Sequence, residues 1–343
     1  MTPEPPESPV PPDSRARLVA SPGPRIPASP EMDRGPIDRL RRWVRQAPLS
    51  LHRKLGGRNS EALLPLHKES GRAPSTASAT SEIQALTALG SENAHCRWKG
   101  AEYLGRNAHR SREAIAALVG ALADPEEFVR WQAARALAAQ EAAHVFPALT
   151  EALNDSEPLR RAGAAEAMGY QGGEAASVTL CKYLADPDAR VRVAIASALR
   201  DLADPSAADC LLPLLADEDP DVRCAVAGAL GRIGSPATAK PMADALAQPG
   251  QPLLVRRALA AALVRTAHPE AQPALLAALC DADPQVRGYA AEALGHVGDE
   301  TAVAALSATS SDESALLQGS VGSRARQALV MLERRGRRFR QGS

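Results

Sequence analysis

The chain has 343 residues, with 40 basic and 40 acidic side chains and a formal net charge of zero. Apolar residues make up 45% but aromatic ones only 3%, so any core is built from small aliphatic side chains. That balance excludes a uniformly basic nucleic-acid binder, and no run approaches the roughly 18 apolar residues of a membrane span.

Charge is unevenly spread: +5 over residues 1–81, −10 over 82–333, and +5 over 334–343. Residues 1–36 are proline-rich with few large apolar groups, a composition that cannot offset its ordering entropy and is expected to be disordered. Residues 37–58 read as a short basic amphipathic segment. Ile37, Leu40 and Val44 share one helical face among Arg39, Arg41, Arg42 and Arg45, a pattern suited to weak docking on an anionic membrane or a partner. Residues 59–80 read as a flexible linker, with a first helix expected over Ser81–Leu89.

From there a unit repeats. Its arginine falls at Arg97, Arg130, Arg161, Arg192, Arg223, Arg256 and Arg287, in steps of 33, 31, 31, 31, 33 and 31 residues. A period of this size marks a stacked array of small units. Three, four and seven residues after each arginine the chain is mostly apolar, as in Ile195, Ala196 and Leu199, which is one face of a helix. Most units open with an aspartate six residues before the arginine and a nearby proline, as expected for a helix cap and first turn. Glycines such as Gly231 and Gly234 fit helix ends. A second apolar segment, such as Glu270–Cys280, lies between these helices, so each unit is helix–turn–helix. The array is expected over 81–333. Its last unit is atypical and polar, as end units are, and is followed by a basic tail over 334–343.

The string Asp281-Ala-Asp-Pro-Gln-Val-Arg287-Gly-Tyr-Ala-Ala-Glu-Ala-Leu294-Gly-His-Val-Gly298 resembles HEAT-type repeats of the phycobilisome-lyase subclass. The resemblance implies an all-α, right-handed superhelix of about seven to eight units. It also implies a hydrogen-bonded ladder between units, written here as Asp124/Arg130, Asp155/Arg161, Asp186/Arg192, Asp217/Arg223 and Asp281/Arg287. The units at Arg97 and Arg256 depart from it, with Ser91 and Gly250 in the aspartate column.

Little in the sequence supports chemistry. The five cysteines show no C-x-x-C pattern and read as reduced core residues of a cytoplasmic protein; the N-terminus has no apolar run of the signal-peptide kind. The seven histidines share no repeat column, and no His-Glu dipeptide of the kind used by HEAT-type metal-dependent hydroxylases occurs. No catalytic residue, metal ligand or cofactor is expected. The reading is a bacterial, monomeric, non-enzymatic scaffold that binds a protein partner, with no nucleic acid expected on the array. The resemblance leaves a bilin-binding, chromophore-lyase-like role and a hydroxylase relative as alternatives. By the same resemblance the second helix of each unit lines the concave face. There the columns one and five residues after the arginine vary most and nominate Trp98, Glu102, Trp131, Arg135 and Arg257 as partner-binding residues.

Overall fold

The computed structural model describes residues 76–107 and 111–341, and side chains within 81–335. The readings for residues 1–36 and 37–58, and for all but the last five residues of the expected linker, lie outside the described residues.

The described residues form eight helix pairs. These are α1 (Thr76–Leu89) with α2 (Ala94–Asn107), α3 (Arg112–Ala121) with α4 (Glu127–Ala138), and α5 (Ala142–Ala152) with α6 (Pro158–Gln171). Next come α7 (Glu174–Lys182) with α8 (Ala189–Leu202), α9 (Ala208–Leu211) with α10 (Pro220–Ile233), and α11 (Ala239–Ala247) with α12 (Leu253–Thr266). Last are α13 (Gln272–Ala278) with α14 (Pro284–Val297), and α15 (Glu300–Thr309) with α16 (Val321–Gln341). Even-numbered helices stack on one another in one row and odd-numbered helices in a second, so the fold is an all-α solenoid. No described helix is long and apolar enough to cross a membrane.

The repeated apolar columns form the core. Leu104, Leu137, Met168, Leu199, Leu230, Leu263 and Leu294 are at most 1% exposed. The even row packs through small residues. A Cβ added at Gly105, Gly169 or Gly231 would lie 2.7–2.8 Å from the Cβ of Ala136, Ala198 or Ala262 on the next even helix. These glycines permit a backbone approach that any side chain would block.

Three expectations about segment boundaries and cysteines need correction. The first helix starts at Thr76, inside the stretch read as linker, where Ala77 and Ala79 favour helix and α1 packs along α2. The stretch read as a basic tail continues α16 to Gln341, and Arg335 ties that helix down by donating to the carbonyls of His296 and Gly298. Cys181 and Cys210 are joined in a disulfide, so the reading of five reduced core cysteines fails for two of them. Their 29-residue separation gave no local signal; stacking of successive odd helices brings them together.

The five expected pairs are hydrogen-bonded, each within one unit through the aspartate's carbonyl oxygen, while the link between units runs in another register. Five of the seven arginines reach forward to the aspartate of the following unit. Arg192 donates from Nε and Nη2 to both carboxylate oxygens of Asp217, each at 2.8 Å. Its Nη1 donates to the carbonyl oxygen of Asp186, the aspartate of its own unit. Arg97–Asp124, Arg161–Asp186 and Arg256–Asp281 repeat the fork, and Arg287 reaches Asp312 and Ser314 in the last, degenerate unit. Arg97 and Arg256 are therefore full donors, although their own units lack the aspartate. The rung fails at two junctions among the described residues. Asp155 is taken by Arg160 at 2.5 Å instead of Arg130. Arg223 faces the unit in which Gly250 replaces aspartate, and its Nε is buried without a partner.

The column aspartates are not the helix caps either. Asp217 Oδ1 accepts from the Asp219 amide, and it is Asp219 that caps α10, with Pro220 at its first position. Asp281 and Asp283 do the same before α14. Pro125 and Pro187, which directly follow their aspartates, lie before their helices rather than in the first turn.

Acid should weaken the rungs. Burial opposes ionisation of Asp217, but hydrogen bonds from Arg192 and the Asp219 amide outweigh it and hold the carboxyl below its ordinary range. Hydrogen bonds from Arg287 and Ser314 hold Asp312 at about 2. Both folded values lie below the unfolded value of about 4, so this stabilisation is complete above about pH 4 and is lost as pH falls toward the folded values. Urea midpoints measured from pH 6 to pH 2 should fall within that window, and Asp312→Asn should shrink the fall; a flat profile would show that the rungs add nothing.

Core truncation should be costly and glycine replacement should depend on the neighbour. Leu199→Ala and Leu230→Ala should each lose about 2–5 kcal/mol in denaturant titrations. Gly231→Ala should destabilise by about 1–3 kcal/mol, because its Cβ would meet Ala262. Gly228→Ala, three residues earlier on α10, meets only Arg200 Cδ at 3.9 Å and should stabilise by up to about 1 kcal/mol through helix propensity.

Candidate functional site: the exposed face of the even helices

The columns one, five and nine residues after each ladder arginine stand one turn apart on the even helices, beside the core columns. Because each even helix is fixed by the core and by the turn before it, the side chains on this face are set at regular intervals.

Trp98 and Trp131 are both half-buried, and each has its own surroundings. Trp98 on α2 stacks against His95 with ring centroids 5.9 Å apart. Glu102, one turn on, pairs with Arg106 at 2.9 Å. An open groove of about 430 Å³ runs between α1 and α2, lined in part by Gln84, Lys99, Glu102, Tyr103 and Arg106. Trp131 on α4 lies under the exposed Arg135, whose guanidinium carbon is 4.7 Å from the ring centroid. Trp131 therefore does not simply close the hydrophobic end of the stack, since it sits in the second pair.

Trp131 has a neighbour that the expected columns did not include. Tyr170, on α6 and in the column nine residues after Arg161, brings its hydroxyl close to Trp131 Nε1. Neither atom makes a hydrogen bond, and both are buried. Burial first, then Glu166 and Asp201, push the Tyr170 phenol up, so it stays protonated. Asp201 pairs with Arg200 at 3.1 Å on the next even helix. The face from α4 to α8 thus holds two aromatic rings with charges of both signs around them. The sequence carried a signal for Tyr170: its column reads Arg106, Ala139, Tyr170, Asp201, Arg232, Arg265 and His296, as variable as the columns one and five residues after the arginine.

Arg257 is placed differently from expectation. Its Nε and Nη2 donate to Asp283 at 2.9 and 2.5 Å, and Asp283 is itself the cap of α14. Its charge is therefore used between units and is not free for a partner. At the far end Arg324 lies over Tyr289 at 5.5 Å and pairs with Glu292. Among the described residues, no three His, Cys, Asp or Glu side chains are grouped to hold a metal ion.

The solved structure of YibA from Escherichia coli is 19% identical, covers 78% of this chain and 100% of its own, and superposes with a TM-score of 0.53. The complex of CpcE and CpcF of phycocyanin lyase from Nostoc sp. PCC7120 is 23% identical, with coverage of 80% and 100% and a TM-score of 0.34. Human deoxyhypusine hydroxylase in complex with glycerol is 24% identical, with coverage of 75% and 98% and a TM-score of 0.32. The likeness to YibA speaks to the fold alone, and the other two carry no argument about this chain. No curated protein matches significantly. A family model described as HEAT repeats matches residues 83–169, 177–254 and 250–329, and by that match the chain belongs to the HEAT-repeat family.

Proposed function

We propose that this protein is a non-enzymatic scaffold that binds a protein partner along the exposed face of its even helices. The observation that carries the reading is Trp131, half-buried beneath the exposed guanidinium of Arg135 and beside Tyr170. Tryptophan, tyrosine and arginine are the residue types that most often dominate protein interfaces. The rings are held by the fold before any partner arrives, so little side-chain entropy remains to be lost on binding. Trp98 and Glu102 extend the same face toward the groove beside α1.

The surface residue gives the clean test. Arg135 is exposed and lies outside the core, so Arg135→Glu should change folding stability by no more than about 0.5 kcal/mol. Affinity capture with wild-type and Arg135→Glu baits, followed by titration of the recovered partner, should show a loss of about 2 kcal/mol or more. Tyr170→Phe should weaken binding less, since the ring remains. Equal affinity for the wild type and Arg135→Glu would remove this face as the binding site.

A further inference from the structure

Cys181, on α7, is bonded to Cys210, on α9, with Cα atoms 5.8 Å apart. The bond crosses the junction between the fourth and fifth helix pairs on the odd-helix row. It is particular to that junction. Cys181 lies five residues before Asp186 and Cys210 seven before Asp217; the same two columns hold Thr150 and Thr179 one junction back, and Val119 and Ala148 two junctions back.

The helix it grips supports itself poorly. α9 has four residues, with 3-10 turns on either side at Pro205–Ala207 and Leu212–Ala216. Pro213 lacks an amide donor just where the helix would continue. Meanwhile the Arg192–Asp217 rung holds the same junction at its turns. The junction is therefore tied at two separated points, one ionic and one covalent. Both sulfur-bearing residues are half-buried at the edge of the core rather than sealed within it.

We propose that Cys181–Cys210 is a reversible redox staple that fixes the separation of α7 and the α9 segment. A thiolate of one cysteine attacks a small disulfide and releases one thiolate, giving a mixed disulfide. The second cysteine's thiolate then displaces the other half. The protein loses two protons and two electrons, and the small disulfide becomes two thiols. A dithiol reductant reverses the exchange. Of the three remaining cysteines, Cys224 competes poorly, since burial and then Asp221 push its thiol up to about 11.

The full chain is equilibrated with oxidised or reduced glutathione, quenched with iodoacetamide, mapped by peptide mass spectrometry and melted. Oxidation should link the Cys181 and Cys210 peptides and raise the midpoint by roughly 5 °C, reversibly with dithiothreitol. Cys210→Ser and Cys181→Ser should each abolish the redox-dependent shift, and Cys224→Ser should leave it intact. If one serine variant fails to fold, the other variant and the reduced wild-type protein still give the readout. Alkylation of either cysteine under oxidised glutathione, a link to a different cysteine, or a midpoint unchanged by redox state would each overturn the proposal.

Discussion

The guanidinium of Arg192 joins two successive turns of the chain. One nitrogen holds the carbonyl of Asp186 behind it, and two grip the carboxylate of Asp217 ahead. Asp217 in turn accepts from the Asp219 amide, which fixes the turn that launches α10. Four such forks run through the array among the described residues, and Arg287 makes a fifth link to Asp312 and Ser314. A half-buried ion pair adds little net stability once its desolvation is counted. Its planar, two-point geometry instead fixes the register of one unit against the next.

Register matters because the even helices touch through very small residues. Gly169 against Ala198 leaves no room for a slipped neighbour, since even a methyl group would overlap it. The rungs set how far each even helix is advanced and the glycines set how close it comes. Two junctions, at Arg130 and Arg223, lack the rung. There Gly231 still meets Ala262, so the row is continuous where the ladder is broken.

The candidate face follows from this rigidity. Trp131 and Tyr170 belong to different units, and only the fixed approach of α4 to α6 places their polar edges together. Arg257 teaches the opposite lesson. It occupies the same column as Trp131, yet the aspartate that caps α14 lies within its reach and takes up its charge. A column therefore nominates a residue for the face without deciding whether its side chain is free.

The sequence by itself determined the unit, its period and its core, because a helix buries a stripe at a spacing fixed by 3.6 residues per turn. Leu199 and Leu230 were legible in this way, as was the membership of Arg192 and Asp217 in one ladder. The pairing direction was not, since an aspartate six residues before an arginine and one 25 residues after it look equally available in a repeating string. The Cys181–Cys210 bond, the tie between Arg257 and Asp283, and the meeting of Trp131 with Tyr170 were likewise decided by the tertiary structure. Each joins residues of neighbouring units, and such contacts depend on how the units stack, a relation that no local periodicity encodes.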